Sequence, residues 1–270
     1  MLKHLNLTIQ PGEHMAVVGL NGSGKTTMIK LLCRLYDPTE GRILLNGVDI
    51  RSYSLSEYRK LFSVIFQDFK LFPLSIGANI ATAEEYNKGK VLDQFAKIGF
   101  KERYQKMEQK LDTVLYKDFD ENGIHLSGGE EQKLTFARAL YKEAPIVILD
   151  EPTAALDPIA EYDIYTTFDQ TIGNRTAIFI SHRLSSCRFC HNISVFEDVE
   201  IVQQGTHEEL VDCMLKCGSH RRSIMWRDEN QLCIGAYSYS ISCFISFFNS
   251  LIIISSSRVL SRIIPDSTFF

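Results

Sequence analysis

One run of eight residues constrains this chain more than any other feature. Residues 19–26 read Gly-Leu-Asn-Gly-Ser-Gly-Lys-Thr and fit the P-loop pattern. A short apolar run over residues 15–19 precedes the loop, and residues 25–35 have the apolar spacing of a helix. A strand, a glycine-rich loop and a helix in this order are the context that phosphate binding requires. A Rossmann dinucleotide loop does not fit, because the glycine spacing differs and Lys-Thr follows.

The loop residues predict a site for a nucleoside triphosphate. Glycines let backbone N–H groups turn inward around the β-phosphate, and the positive end of the following helix adds to that field. Lys25 is expected to reach the β and γ oxygens, and Thr26 to offer its hydroxyl to Mg²⁺. The residues assigned to the nucleotide in this loop are Asn21, Gly22, Ser23, Gly24, Lys25, Thr26 and Thr27.

A second motif is the apolar run of residues 146–149, which ends in Asp150 and Glu151. Ligands of open α/β sheets bind at the carboxyl ends of strands, so both carboxylates are expected at that edge. We expect Asp150 to hold Mg²⁺, directly or through water, and Glu151 to orient or deprotonate the attacking water. The alternative for Glu151 is a capping role, which the following Pro152 makes less favourable.

A third motif, Leu-Ser-Gly-Gly-Glu over residues 126–130, opens a helical pattern between the other two. Ser127 and Glu130 have the spacing of a capping box. Two glycines just inside a helix start nevertheless cost about 1 kcal/mol each. Close approach of an anion to the bare N–H groups of Ser127, Gly128 and Gly129 explains them better, and capping is compatible with that role.

Together these motifs resemble the nucleotide-binding domain of ATP-binding cassette (ABC) transporters over about residues 2–231. The resemblance implies that the Ser-Gly-Gly signature of one subunit completes the ATP site of another. Gln67 resembles the Q-loop glutamine, which touches magnesium and senses the membrane domain. Asp157 resembles the D-loop aspartate, and His182 resembles the switch histidine near the γ-phosphate. The implied metal-site residues are Thr26, Gln67 and Asp150, and the implied catalytic residues are Glu151 and His182.

Two further runs are similar to exporter-type cassettes: Ser-His-Arg-Leu-Ser over residues 181–185 and Gly-Thr-His-Glu-Glu-Leu over residues 205–210. Residues 71–80 resemble the region where a coupling helix of the membrane domain docks. The resemblance therefore implies an ATP- and Mg²⁺-dependent ATPase that powers export at the cytoplasmic face of the cell membrane. Its implied partners are an exporter's transmembrane domain and a second nucleotide-binding domain. The cargo is chosen by membrane helices, so it cannot be inferred from these motifs.

The resemblance also implies the fold, an α/β P-loop NTPase with a mainly parallel sheet and a small antiparallel β portion. A helical subdomain is expected over about residues 70–142. Periodicity adds a half-buried strand over residues 2–10, a hairpin around Asn46-Gly47 and a crossover helix over residues 163–172. The continuous apolar runs 146–149 and 176–180 predict parallel strands that are buried on both faces.

Two features depart from the family pattern. Family members stack adenine on an aromatic residue upstream of the P-loop, but no Phe, Tyr or Trp precedes Gly19. Met1 is therefore expected to lie inside a longer ancestral cassette, with reduced affinity for adenine. In addition, Glu-Asp-Val-Glu stands at residues 197–200, where exporters usually turn with glycine. Val199 is unsuited to positive φ, so this turn is expected to be either different or strained.

Composition and charge narrow the range of partners. The 270 residues include 29 Lys and Arg against 33 Asp and Glu, a net charge of −4 with no long basic run, so no nucleic-acid surface is expected. Cys187 and Cys190 form a CxxC pair, but Cys213 and Cys217 have the wrong spacing for a zinc ribbon. Reduced thiols are the favoured interpretation.

The sequence divides into an ATP-binding domain over residues 1–231 and a tail over residues 232–270. The tail has no charged residue between 232 and 257, a stretch long enough to span a bilayer. It is a membrane-associated segment, a packed extension or sequence that is not native coding, and the abrupt change of pattern favours the last.

For the whole chain, the alternatives to an exporter ATPase are a non-functional transporter fragment and, less favoured, a soluble non-transport ABC ATPase. The about 100 residues between P-loop and signature hold no sustained heptads, which argues against chromosome-type ATPases.

Overall fold

A mostly parallel sheet carries the edge at which the predicted site residues lie. The computed structural model describes residues 2–117, 121–151, 158–217, 225–228, 231–233 and 252–255. Its first eight strands are β1 (His14–Gly19), β2 (Arg42–Leu45), β3 (Val48–Asp49), β4 (Phe62–Ile65), β5 (Ile146–Asp150), β6 (Thr176–Ser181), β7 (Asn192–Glu197) and β8 (Glu200–Gly205). Three short strands follow, β9 (Met225–Asp228), β10 (Gln231–Cys233) and β11 (Ile252–Ser255).

The central sheet has the order β4-β5-β6-β1-β7-β8. All neighbouring strands are parallel except β7 and β8, which are antiparallel. Along β1, Ala16 and Val18 pack into one buried cluster, while Met15 and Val17 pack into another. Both faces of the sheet are thus covered, which explains the continuous apolar runs. The predicted fold class is confirmed.

The register of the strands brings four carboxyl ends to one level. Ile180 of β6 is opposite Val17 of β1 on one side and Asp150 of β5 on the other. Ile65, the last residue of β4, is opposite Leu149 of β5. Whatever follows β1, β4, β5 and β6 therefore emerges along the same edge of the sheet, where open α/β folds bind their ligands.

Eight helices surround the sheet in the described part of the chain. They are α1 (Lys25–Leu32), α2 (Leu55–Lys60), α3 (Ile76–Ala81), α4 (Lys88–Lys97), α5 (Lys101–Gln105), α6 (Gly128–Tyr141), α7 (Pro158–Ile172) and α8 (His207–Cys217). The helices α3 to α6 all lie within residues 70–142. Helix α1 ends before the predicted residue 35, because Arg34 adopts a left-handed φ of 52°. Helix α7 starts five residues earlier than predicted, at a proline, which suits the first helical position.

The prediction of a strand over residues 2–10 is wrong. The structure contains no strand in this segment, and the Lys3 N–H donates to the carbonyl of Val199 in the turn between β7 and β8. The alternation that motivated the prediction is still visible in the packing, because Leu5, Leu7 and Ile9 are buried. Their side chains join the cluster that includes Met15 and Val17. The alternating apolar residues therefore predicted correctly which side chains are buried. They did not predict whether the backbone pairs with another strand.

Two other expectations concern the β-hairpin and the tail. The hairpin between β2 and β3 is confirmed, with Asn46 and Gly47 both at positive φ, 53° and 79°. Among the helices of the described residues, none combines the length and the apolar character needed to cross a membrane. Most of residues 232–270 lie outside the described part, so the interpretations of the tail and the domain boundaries remain predictions. Cys187 and Cys190 are buried free thiols.

The turn between β7 and β8 is strained. Asp198 has a φ of 45° and Val199 a φ of 67°, and a β-branched residue is especially unfavourable in that region. Val199 is held there partly by its carbonyl, which accepts a hydrogen bond of 3.1 Å from the Lys3 N–H. Of the two expected outcomes, a different turn or a strained one, the structure has the strained turn.

We expect Val199→Gly to raise the free energy of unfolding by about 1 kcal/mol, because it relieves the left-handed conformation of a β-branched residue. Val202→Gly is the matched control, since Val202 is an exposed valine in the adjoining strand β8. Glycine in a strand interior should lower stability there by about 0.5–1 kcal/mol. Urea unfolding followed by circular dichroism measures both. A loss of stability in both variants would contradict strain at Val199.

Candidate nucleotide-binding site

The P-loop connects β1 to α1. Some of its glycines pack tightly against neighbouring residues, and others border open space. Gly22 and Gly24 have φ values of 83° and 99°, which residues with a β-carbon rarely adopt. A β-carbon at Gly24 would lie 2.5 Å from the side chain of Leu2, whereas one at Gly22 would meet nothing within 4 Å. At the start of the loop, a β-carbon on Gly19 would lie 2.3 Å from the carbonyl oxygen of Phe196. The glycines therefore allow close packing beneath the loop and leave space above it.

A cavity of about 340 Å³ lies against the open side of the loop. All of its lining residues except Leu2 and Val199 were assigned to nucleotide, metal or catalysis from the sequence. The lining consists of Leu2, Asn21, Gly22, Gly24, Lys25, Thr26, Thr27, Gln67, Glu151 and Val199. Ser23 is buried beneath the loop and does not line the cavity. The strands thus bring the P-loop, the residue after β5 and the Q-loop glutamine after β4 to one space.

Lys25 is buried at the base of this cavity, with a side chain 5% exposed. Its ammonium group donates to the carbonyl oxygens of Gly19 and Leu20, at 2.7 and 3.0 Å. The same nitrogen lies 3.3 Å from Oε1 of Glu151. A buried cation held by loop carbonyls and one carboxylate is placed where an anion entering the loop would meet it.

Thr26 and Asp150 form a pair of oxygen donors that fits a magnesium ion. The Thr26 hydroxyl donates to Oδ1 of Asp150 at 3.3 Å. The other oxygen of Asp150, Oδ2, is buried and has no hydrogen-bond partner among the described residues. Burial raises the pKa of Asp150 and the Glu151 charge adds to this, whereas the Thr26 hydroxyl opposes it. An unpartnered carboxylate oxygen beside a hydroxyl is a donor set that a hard cation such as Mg²⁺ prefers.

Glu151 is a buried carboxylate in an unusual backbone conformation, with a φ of 46°. Its Oε2 lies 3.9 Å from Nδ1 of His182, which is too far for a direct hydrogen bond and close enough for an ion pair only when the imidazole is protonated. Burial by itself would raise the pKa of Glu151, but His182 and Lys25 together outweigh it, so the pKa lies below its ordinary value. Glu151 is therefore ionised at neutral pH and can accept a proton. Strained backbone at such a position is common in functional sites.

The Ser-Gly-Gly signature does not lie at the P-loop cavity. Ser127, Gly128 and Gly129 are exposed at the start of α6 and do not line the cavity. The capping box is confirmed, because Glu130 N–H donates to the Ser127 hydroxyl at 3.4 Å and Ser127 N–H donates to Glu130 Oε2 at 2.8 Å. A β-carbon at Gly128 or Gly129 would meet nothing within 4 Å, so this surface is open. Asp157 lies outside the described residues.

Sequence reasoning missed two residues of the cavity. Val199 carried a signal, its unusual turn, but nothing connected that turn to the loop. Leu2 carried none, because its approach depends on the missing β-carbon of Gly24 and on the path of residues 2–10. Both are apolar, so they add a wall to the cavity without adding charge.

Known proteins are similar to this chain in sequence and in fold. Residues 2–154 match the family model described as ABC transporter. The chain is 41% identical over 213 residues to the ATP-dependent lipid A-core flippase of Salmonella typhimurium, which covers 78% of this chain and 36% of that protein. It is also 41% identical over 215 residues to the subtilin transport ATP-binding protein SpaT of Bacillus subtilis, with 78% and 34% covered.

Among solved structures, the chain is similar to a bacterial Atm1-family ABC exporter with ATP bound, with 34% sequence identity and a TM-score of 0.71. The match covers 82% of this chain and 39% of that one. The chain thus spans between 34% and 39% of the length of these relatives. Since the family model covers more than half of the chain and the fold is similar to that of an ABC exporter, this chain belongs to the ABC transporter family and has the fold of its ATP-binding domain.

Proposed function

We propose that the chain binds and hydrolyses ATP as the nucleotide-binding domain of an ABC exporter. The observation that carries this proposal is the cavity beside the P-loop: Lys25, Thr26 and Glu151 line it, and the carboxylate of Asp150 accepts a hydrogen bond from the Thr26 hydroxyl at 3.3 Å. These groups provide a cation for phosphate oxygens, ligands for a metal ion and a base for water. The relatives named above are a lipid A-core flippase, a transport ATP-binding protein and an ABC exporter, which supports the transport role.

Different residues of the site would perform different parts of phosphoryl transfer. Loop N–H groups and Lys25 would bind and orient the triphosphate, while Thr26, Asp150 and Gln67 would hold Mg²⁺. When bound, that ion would neutralise charge on the β- and γ-phosphate oxygens. Glu151 would orient the attacking water and accept its proton, and His182 would position Glu151 and the γ-phosphate. The low pKa of Glu151 keeps the carboxylate ready for this role at neutral pH.

A second nucleotide-binding domain is part of the proposal. The Ser127–Gly129 segment is exposed and far enough from its own cavity not to line it. An exposed helix start with two open glycines can approach an anion that is held by another subunit. ATP would then close the pair, and hydrolysis would let it open. The resulting pair is either homodimeric or heterodimeric.

The membrane partner has a candidate docking surface next to the Q-loop. A cavity of about 710 Å³ lies between the end of β4 and the helices α3 and α6. Phe72 in its lining and Leu74 beside it are large apolar side chains that are about half exposed, at 52% and 49%. We propose that a transmembrane domain docks here, which places the chain at the cytoplasmic face of the cell membrane.

Two measurements on the purified chain test the nucleotide part of the proposal. Differential scanning fluorimetry with MgATP should raise the melting temperature, and phosphate release should require Mg²⁺ and stop when EDTA is added. No nucleotide-dependent shift would instead favour a non-functional transporter fragment. A shift without phosphate release would restrict the chain to nucleotide binding.

A further inference from the structure

A buried histidine lies at the opposite end of β1 from the P-loop. His14 is the first residue of β1, and its side chain is 10% exposed. The centroid of its ring lies 6.3 Å from that of Phe179 on β6. A buried imidazole needs hydrogen-bond partners for both of its nitrogens, and the kind of partner decides whether the ring carries a charge.

Both ring nitrogens of His14 face hydrogen-bond acceptors. Nδ1 lies 2.5 Å from Oδ1 of Asp169 on α7. Nε2 lies 3.0 Å from the carbonyl oxygens of Gly173 and Arg175, in the turn that connects α7 to β6. A neutral imidazole has a single N–H, so it would direct a lone pair at one of these oxygens. Only the imidazolium can donate from both nitrogens at once.

The surroundings of the ring favour a positive charge. A neutral ring would require a protonated Asp169, but a carboxylic acid is ordinarily a much stronger acid than an imidazolium. The ring also lies at the C-terminus of α7, where the N–H of Gly173 donates to the carbonyl of Asp169 at 3.3 Å. The negative end of a helix dipole stabilises a cation. The hydrogen bond to Asp169 raises the pKa of His14 against the effect of burial, and the Asp169 charge and the two carbonyls add to this.

Other titratable groups lie on the segments around His14. The ring centroid of His191 is 5.2 Å from that of His14, and Nδ1 of His191 accepts the backbone N–H of His14 at 3.0 Å. This bond leaves Nδ1 of His191 without a proton, so the two rings are not both fully protonated. The Arg175 guanidinium donates through Nε to the carbonyl of Ile172 at 3.1 Å. The remaining groups on these segments are Glu13, Cys187 and Cys190.

We propose that His14 is a proton-binding site within the fold, whose imidazolium joins the start of β1 to the end of α7 and to the turn before β6. Loss of the proton leaves one nitrogen facing an acceptor without an N–H, which weakens this junction. The inference goes beyond the proposed function and does not depend on it, because His14, Asp169, Gly173 and Arg175 do not line the cavity beside the P-loop.

The direction of the pH dependence follows from the charge of the ring. In the unfolded chain an imidazole titrates near pH 6.5, roughly. Because the pKa of His14 is raised in the folded chain, its bonds contribute their full stabilisation below about pH 6.5. That contribution is lost as the pH rises through the folded-state pKa.

Urea unfolding at several pH values from about 6 to about 9 measures this effect. His14→Gln keeps a side-chain donor but does not titrate. The stability difference between the unsubstituted chain and His14→Gln should shrink above about pH 6.5, by up to about tenfold in the folding equilibrium constant per pH unit. Asp169→Asn keeps the size of the side chain and should flatten the same pH dependence. His125→Gln, at an exposed histidine, is the control and should leave it unchanged.

Nuclear magnetic resonance tests the proposal on the unsubstituted chain, so the outcome does not require His14→Gln to fold. The nitrogen chemical shifts of the His14 ring should show both nitrogens protonated, and their titration midpoint should lie above about pH 6.5. A midpoint at or below that value would overturn the proposal. Equal pH dependence of stability in the unsubstituted chain and in folded His14→Gln would also overturn it.

Discussion

Glu151→Gln is expected to reduce the steady-state rate of ATP hydrolysis by about 100- to 10,000-fold, the usual range for loss of a general base. Glutamine keeps the size of the side chain and an oxygen that can contact Lys25, but it cannot accept a proton. ATP affinity should stay within a few fold of the original, because the loop N–H groups and Lys25 are untouched. Phosphate release measured under multiple turnover, with ATP affinity measured by calorimetry, gives both values.

Glu143→Gln is the matched control, because Glu143 is a surface carboxylate whose partner is Lys90 at 2.6 Å. It should change hydrolysis by less than twofold. Retained hydrolysis in Glu151→Gln would remove Glu151 from the proposed role. Loss of ATP binding in the same variant would mean that its carboxylate positions the loop, acting through Lys25, and does not act on water.

The contacts of Lys25 link binding to the chemical step. Its ammonium group is shared between two loop carbonyls and Glu151. A triphosphate that draws this cation toward its own oxygens would take away one of the two groups that lower the pKa of Glu151. The carboxylate would then become a stronger base once the substrate is in place. Glu151 would be ionised before the nucleotide binds, and it would become more basic afterwards. It would therefore be an effective base only when a triphosphate is bound.

Much of the site could be predicted because its residues follow strands directly. The P-loop, Gln67, Glu151 and His182 come after the strands β1, β4, β5 and β6, and parallel strands place their carboxyl ends along one edge. Apolar runs located those strands, since both faces of the sheet are covered. A local motif and one topological rule were therefore sufficient to bring distant parts of the sequence together. The role proposed for His182, in contrast, came from family resemblance, because a lone histidine carries no such signal.

The errors arose where long-range packing decides the outcome. Alternation over residues 2–10 gave the correct inward face, but a strand also needs backbone pairing with a neighbouring strand, which the spacing of side chains does not encode. The approach of Leu2 to Gly24 depends on the path of that same segment. The signature at Ser127–Gly129 could be recognised, but the second subunit whose anion it would approach is itself proposed, so its role in anion binding stays a prediction.

Lys25→Ala is expected to weaken ATP binding by roughly 10- to 100-fold. A hydrogen bond to a charged group contributes about 1.5–3 kcal/mol, and tenfold in affinity corresponds to about 1.4 kcal/mol. The substitution also leaves Glu151 buried without its closest cation, so its carboxylate would repel the phosphates. Calorimetric titration with MgATP measures the loss. Lys60→Ala, at an exposed lysine paired with Glu57 on α2, should have no effect.

Removing a buried side chain can also lower stability, so the comparison needs Lys25→Met, which keeps the apolar stem and removes only the ammonium group. Urea unfolding establishes that each variant is folded at the temperature of the titration. If folded Lys25→Met binds MgATP as tightly as the original chain, the P-loop assignment is wrong. If Lys25→Met and Lys25→Ala lose affinity equally, the ammonium charge accounts for the effect, because the two variants differ only in the stem that fills the base of the cavity.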